Sequence, residues 1–217
     1  MWNWWHSLGG DGQVKFLALL GASIAFVVGL LQYRKTQRWK RAEWVAQEMK
    51  DFFADPSVKT ALQLLDWGSR RVELFPNLAN SEDRFVTVRD DDLAKALAHH
   101  SDRPEGFTPA EAALRDLFDY FLDRLERIHS FLDAGLVSLG DIRPYLNYWA
   151  GHVIAARIGD PHVDRLVQLR RYIRHYNFSG VEALFTRLCD RPFPEDRETE
   201  PTNAPVAVPT SDPPTTL

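Results

Sequence analysis

The chain has 217 residues, 26 of them basic and 30 acidic, for a net charge of -4 with histidine neutral. That balance argues against a dedicated nucleic-acid binder, which carries a basic excess. The single cysteine, Cys189, excludes a disulfide framework and a Cys-rich zinc site.

Residues Phe16 to Leu31 read FLALLGASIAFVVGLL, without a charge or a strongly polar side chain. A bilayer core needs about 20 helical residues. Val14 and Tyr33 extend the run, and Lys15 can snorkel to an interface. A transmembrane helix over 14–33 is expected, with 1–13 as a short extracytoplasmic N-terminus. Trp2, Trp4 and Trp5 before it, and Tyr33 and Trp39 after it, suit the aromatic belts of headgroup layers. The run ends in GLLQYRK, with no small-residue cleavage pattern, so it reads as an uncleaved anchor. Arg34, Lys35, Arg38, Lys40 and Arg41 crowd its C-terminal side. The positive-inside rule then places the rest of the chain in the cytoplasm of a cell with an inner membrane. Gly21, Ala25 and Gly29 fall four apart on one helix face, a pattern that lets a second helix approach and form a homo-oligomer.

Residues 34–191 read as a cytoplasmic helical domain. From Gln37 to Phe53 the helical period continues, with Trp39, Ala42, Val45, Ala46, Met49, Phe52 and Phe53 on one stripe. No breaker separates it from the anchor. Asp55-Pro56 stops that helix and starts another, to about Trp67, with Gly68 as its cap. Arg71 to Phe75 and Arg84 to Arg89 alternate around the turn residues Pro76, Asn77 and Asn80, which predicts a small β-hairpin. Asp90, Asp91 and Asp92 open a short helix to about His99, because carboxylates suit a helix N-terminus. After a loop from Ser101 to Phe107, Thr108-Pro109-Ala110-Glu111 is a strong start signal. The helix that follows runs to Asp133 and stops at Gly135. Its face of Leu114, Leu117, Phe118, Phe121, Leu122, Leu125, Ile128 and Leu132 marks the central core helix. A further helix is expected over Ile142–Ile158, introduced by Ser138 and Asp141, with Tyr145, Tyr148 and Trp149 to bury. Gly159-Asp160-Pro161 breaks it. Helices follow over Val163–Tyr176 and Gly180–Leu188, the second capped by Ser179. Residues 192–217 are rich in proline and read as a disordered tail.

No specific catalytic pattern appears: no G-x-S-x-G, P-loop or G-x-G-x-x-G. Glu126-x-x-His129 occurs once, whereas a di-iron bundle needs two copies and two further glutamates, so it reads as a solvated pair. His152, Asp160, His162 and Asp164 lie close in sequence but match no zinc signature. Asp116, Asp119, Asp123 and Glu126 form an acidic stripe with Arg115, Arg124 and Arg127, a solvated face with helical ion pairs. No metal or cofactor is expected, and Cys189 reads as a small core residue. Arg165, Arg170, Arg171 and Arg174 form a basic cluster that reads as an ordinary helix surface with paired acids, with contact to anionic lipid headgroups or to nucleic acid as the alternatives. Trp39, Trp44, Trp67, Tyr145, Tyr148 and Trp149 read as core. The candidate surface for an unknown protein partner is Asp66, Trp67, Arg70 and Arg71, which mix charge with an aromatic ring at a helix end.

The block QRWKRAEWVAQEMKDFFADPSVKTALQLLDWGSRRVELFP, with FLDRLERIHSFLDAGLVSLGDIRPYL, resembles an uncharacterised bacterial family of small single-pass, membrane-anchored helical proteins. The resemblance rests on W-K-R-A-E, the D-P turn, and Leu65, Asp66, Trp67 and Arg70. It implies an architecture and no catalytic residues. The expected role is a membrane-tethered interaction, sensor or scaffold module. The alternatives are an oligomerising effector of membrane permeability, in stress or phage defence, and a metal-dependent enzyme.

Overall fold

The computed structural model describes residues 10–158 and 164–195. Trp2, Trp4, Trp5, the break at Gly159-Asp160-Pro161, His162 and the tail beyond residue 195 lie outside the described residues. These comprise seven α-helices and one two-stranded antiparallel sheet.

The apolar run and the amphipathic stretch after it share one helix, α1, Gly10–Ala54. Proline forces Asp55 into extended backbone, with φ -63° and ψ 126°, and ends it. The Asp55 carboxylate accepts the Ser57 and Val58 N–H groups at 2.9 and 3.2 Å and starts α2, Pro56–Asp66. From Val14 to Glu43 every residue of α1 is exposed. This part is long and apolar enough to cross a membrane, and none of its apolar window is buried inside the protein. Packing begins only at Val45, Met49 and Phe52, which enter the core. Trp39 and Ala46, expected on the same stripe, stay exposed.

Trp67 is already extended, so strand β1 spans Ser69–Glu73, earlier than the alternation at Arg71 to Phe75 implied. It pairs with β2, Phe85–Arg89, in the register Arg71 to Thr87. Helix α3, Asp90–Ala96, follows at once and ends before His99. A 3-10 turn, His100–Asp102, leads to α4, Pro109–Asp133. Thr108 and Glu111 cap α4 reciprocally, at 2.8 and 3.3 Å. Gly135, at φ 67°, ends it, with Leu136 N–H donating to the Phe131 carbonyl at 3.0 Å.

Helix α5 spans Leu139–Ala155, beginning and ending earlier than expected. Its inward row is Ile142, Leu146, Ala150 and Val153, which leaves Tyr145 and Tyr148 exposed rather than buried. Helices α6, Asp164–His175, and α7, Ser179–Cys189, complete the domain. Ser179 is the first residue of α7 rather than its cap.

Helix α4 is the central helix, as its face implied, and lies antiparallel to α1. Trp44 meets Phe131 edge-on at 4.9 Å, and Glu48 accepts from Arg127 at 3.2 Å. Phe52 packs on Phe121 at 6.2 Å, and Asp55 accepts the Tyr120 hydroxyl at 2.8 Å. Arg124 reaches Glu48 at 3.7 Å. The arginines beside the acidic stripe therefore tie two helices together, where ion pairs within one helix were expected.

Candidate interaction surface

The end of α2 and the start of β1 meet in a tight corner. The Gly68 carbonyl accepts from Asp90 N–H at 2.9 Å. A Cβ on Gly68 would lie 2.8 Å from the Asp90 carboxylate and would push that side chain aside. Arg165 holds this corner from α6. It donates to the Leu65 carbonyl at 3.1 Å and to Asp90 at 3.0 Å. Asp66 and Trp67 then stand on a braced turn.

Trp67 is 56% exposed, and the Arg70 guanidinium lies over its ring at 5.0 Å. Tyr148, 59% exposed, arrives from α5 and donates its hydroxyl to Asp66 at 2.8 Å. That hydrogen bond, with the Asp66 charge, raises the Tyr148 pKa. Tyr148 packs edge-on to Trp149 at 4.9 Å and parallel to His152 at 6.0 Å. A cavity of about 200 Å³, lined by Phe53, Leu62, Asp66, Trp67 and Trp149, opens beside them. Arg71 lies over Phe85 at 5.3 Å. The pleat sends neighbouring strand residues to opposite faces. Arg71 thus shares the outer face with Phe85, while Arg70 turns to Trp67.

The structure brings together Asp66, Trp67 and Arg70, sets Arg71 apart, and adds Tyr148 and Trp149. Trp67 and Tyr148 are exposed, against the expectation that they lie in the core. Trp39, Trp44 and Tyr145, also expected in the core, are exposed as well. Exposed Trp, Tyr and Arg on a rigid scaffold are the residue types that dominate protein interfaces.

The basic helix is corrected. Arg165 and Arg170 are 4% and 1% exposed, so neither faces a headgroup. Arg170 donates to the Val153 and Ala156 carbonyls at 2.6 and 2.9 Å and caps α5. Arg174 donates to Glu182 at 3.4 Å and to the Phe193 carbonyl at 3.2 Å. Arg171 is half-buried on the side of α6 that faces α3.

Glu126 and His129 are not a solvated pair. Glu126 accepts the Val181 N–H at 2.9 Å and caps α7 from α4. Gly180 passes so close that a Cβ would meet Glu126 and lie 2.9 Å from His129 Nδ1. Burial raises the pKa of the half-buried Cys189 thiol. No group of three or more His, Cys, Asp or Glu suited to a metal ion occurs among the described residues. At Gly21 and Gly29 an added Cβ would meet nothing within 4 Å.

No protein-family model, no curated protein and no solved structure matches this chain.

Proposed function

We propose that this protein is a membrane-tethered interaction module, acting as a sensor or scaffold and not as a catalyst. The observation that carries the reading is the cluster of exposed Trp67 and Tyr148 with half-buried Arg70, on a helical domain joined without a break to a long apolar helix. The basic run from Arg34 to Arg41 supports a cytoplasmic domain on an inner membrane. If the bilayer ends near Tyr33, Phe53 stands about 30 Å further along α1. The aromatic cluster then faces the aqueous phase, clear of lipid, where a protein partner can reach it.

A photo-crosslinking side chain at Tyr148 in cells tests this. A discrete adduct is expected, lost in Trp67→Ala and Arg70→Ala chains that keep their melting temperature. Adducts only from other faces of the domain would overturn the reading.

A second reading draws on the exposed small-residue row Gly21, Ala25 and Gly29, whose open face suits a second copy of the helix. In that reading the chain oligomerises and alters permeability. Ala25→Leu would then abolish depolarisation on overexpression, and an unchanged effect would exclude it.

A further inference from the structure

At the far end of the domain from α1's apolar run, the C-terminal turn of α3, the 3-10 turn and α6 enclose a cavity of about 290 Å³. Lys95, Arg103 and Arg171 line it, together with His99 and His175. Asp102 is the carboxylate in its wall, among the described residues. Arg103 is held by Glu105 at 2.8 Å and by Glu111 at 3.1 Å. Lys95 stands in solvent, and no described carboxylate pairs with it. We propose that this cavity binds a small soluble phosphate-bearing anion, with Lys95 and Arg171 supplying charge and His99 and His175 supplying N–H donors.

Three imidazoles cluster at this cavity. The His99 ring lies 4.1 Å from that of His100 and 4.8 Å from that of His175. His99 Nδ1 lies 2.6 Å from the Ser101 hydroxyl and 3.3 Å from the Ser101 N–H, which ties the ring to the 3-10 turn. Arg115 donates to the Tyr176 hydroxyl at 2.7 Å, and that oxygen lies 3.2 Å from His100 Nδ1. The groups facing the rings are therefore Lys95 from α3, Asp102 and Arg103 from the turn, Arg115 from α4, and Arg171 and Tyr176 from α6 and its end.

The helix ends do not oppose an anion. Arg115 occupies the Ala96 and Ala98 carbonyls at 2.7 and 2.8 Å, and Gln168 occupies that of Leu97 at 3.1 Å. The negative end of α3 is thus already covered by donors.

Lipid and solution could both offer a phosphate, and position separates them. This step rests on the membrane-tether reading. Trp44 lies about 16 Å along α1 from Tyr33, and Arg115 about 24 Å along α4 from Phe131, which packs on Trp44. The cavity is then about 40 Å from the hydrocarbon edge, whereas a headgroup layer is only about 6 Å deep. A soluble ligand reaches it; a headgroup of the same bilayer does not.

The test is calorimetric titration of pyrophosphate into the full-length protein in detergent, at fixed ionic strength, with Lys95→Ala and His175→Ala alongside. Both side chains are exposed, so both variants should melt with the parent. One-to-one binding, weakened about tenfold or more by each variant, is expected. Absence of saturable binding, or binding that both variants leave unchanged, would overturn the inference. So would binding to phosphatidic acid vesicles without binding to pyrophosphate. If the chain proves soluble without detergent yet binds pyrophosphate through Lys95, the tether reading fails and this one stands.

Discussion

Arg170→Ala should unfold the domain more readily, and the size of the effect follows from what Arg170 touches. Helix α5 ends at Ala155, and its last carbonyls have no partner within the helix. Arg170, 1% exposed, donates to those of Val153 and Ala156. Truncation leaves the buried Val153 carbonyl and the part-buried Ala156 carbonyl without this donor, each at about 1–3 kcal/mol. It also leaves a void where the side-chain stem packed. Together these give about 3–5 kcal/mol, the range for breaking a buried charged network. For a domain of this size that lowers the melting temperature by roughly 6–20 °C. The assay is thermal unfolding followed by circular dichroism in detergent, with Arg157→Ala, an exposed arginine, as the control. Arg170→Lys should fall between, since one ammonium cannot reproduce the fork. An Arg170→Ala chain that melts within about 1 °C of the parent, and loses affinity for anionic vesicles instead, would refute the reasoning and restore a lipid-facing role.

Other consequences can be checked in the same preparations. Gly180→Ala should cost about 1–3 kcal/mol in urea denaturation, because its Cβ enters the space of Glu126 and His129, whereas Gly151→Ala, with open space, should not. Burial acts to raise the Glu111 pKa, but hydrogen bonds from Thr108 and Arg103, with the Arg103 charge, outweigh it and leave the pKa lowered. The unfolded chain therefore takes up this proton first, so the stabilisation is present above the ordinary carboxylate range and lost as pH falls through the folded value. The urea midpoint should drop on acidification below about pH 5, and Glu111→Gln should flatten that drop, while a parallel pH profile in the variant would count against it. Trp67→Ala should leave the melting temperature within about 2 °C, because an exposed side chain contributes little to folding. A larger loss would mean that the cluster is structural.

Much of the backbone was legible because its signals are local. Thr108, Pro109 and Glu111 carry the start of α4 within one turn, and Asp55-Pro56 carries both the end of α1 and the cap of α2. The misread features depend on distant partners. Arg165 looks basic in sequence, yet it meets Leu65, far earlier in the chain. Ser179 looks like a cap, but Glu126 from α4 already satisfies the Val181 N–H, and Asn177, at φ 58°, turns the chain one residue sooner. Periodicity also cannot choose between two apolar faces. On α5 the row of Ile142, Leu146 and Val153 takes the core, so Tyr148 is left to meet Asp66 at the surface. The candidate surface was half legible: Asp66, Trp67 and Arg70 lie together in sequence, whereas Tyr148 joins them only through the packing of α5.

The central claim is that α1 tethers the domain to a bilayer, and flotation of cell membranes after an alkaline carbonate wash tests it most directly. The full-length chain is expected to float with lipid, and a chain lacking residues 10–33 is expected to remain soluble and folded. A full-length chain left behind at the bottom of the gradient, monodisperse without detergent, would contradict the account.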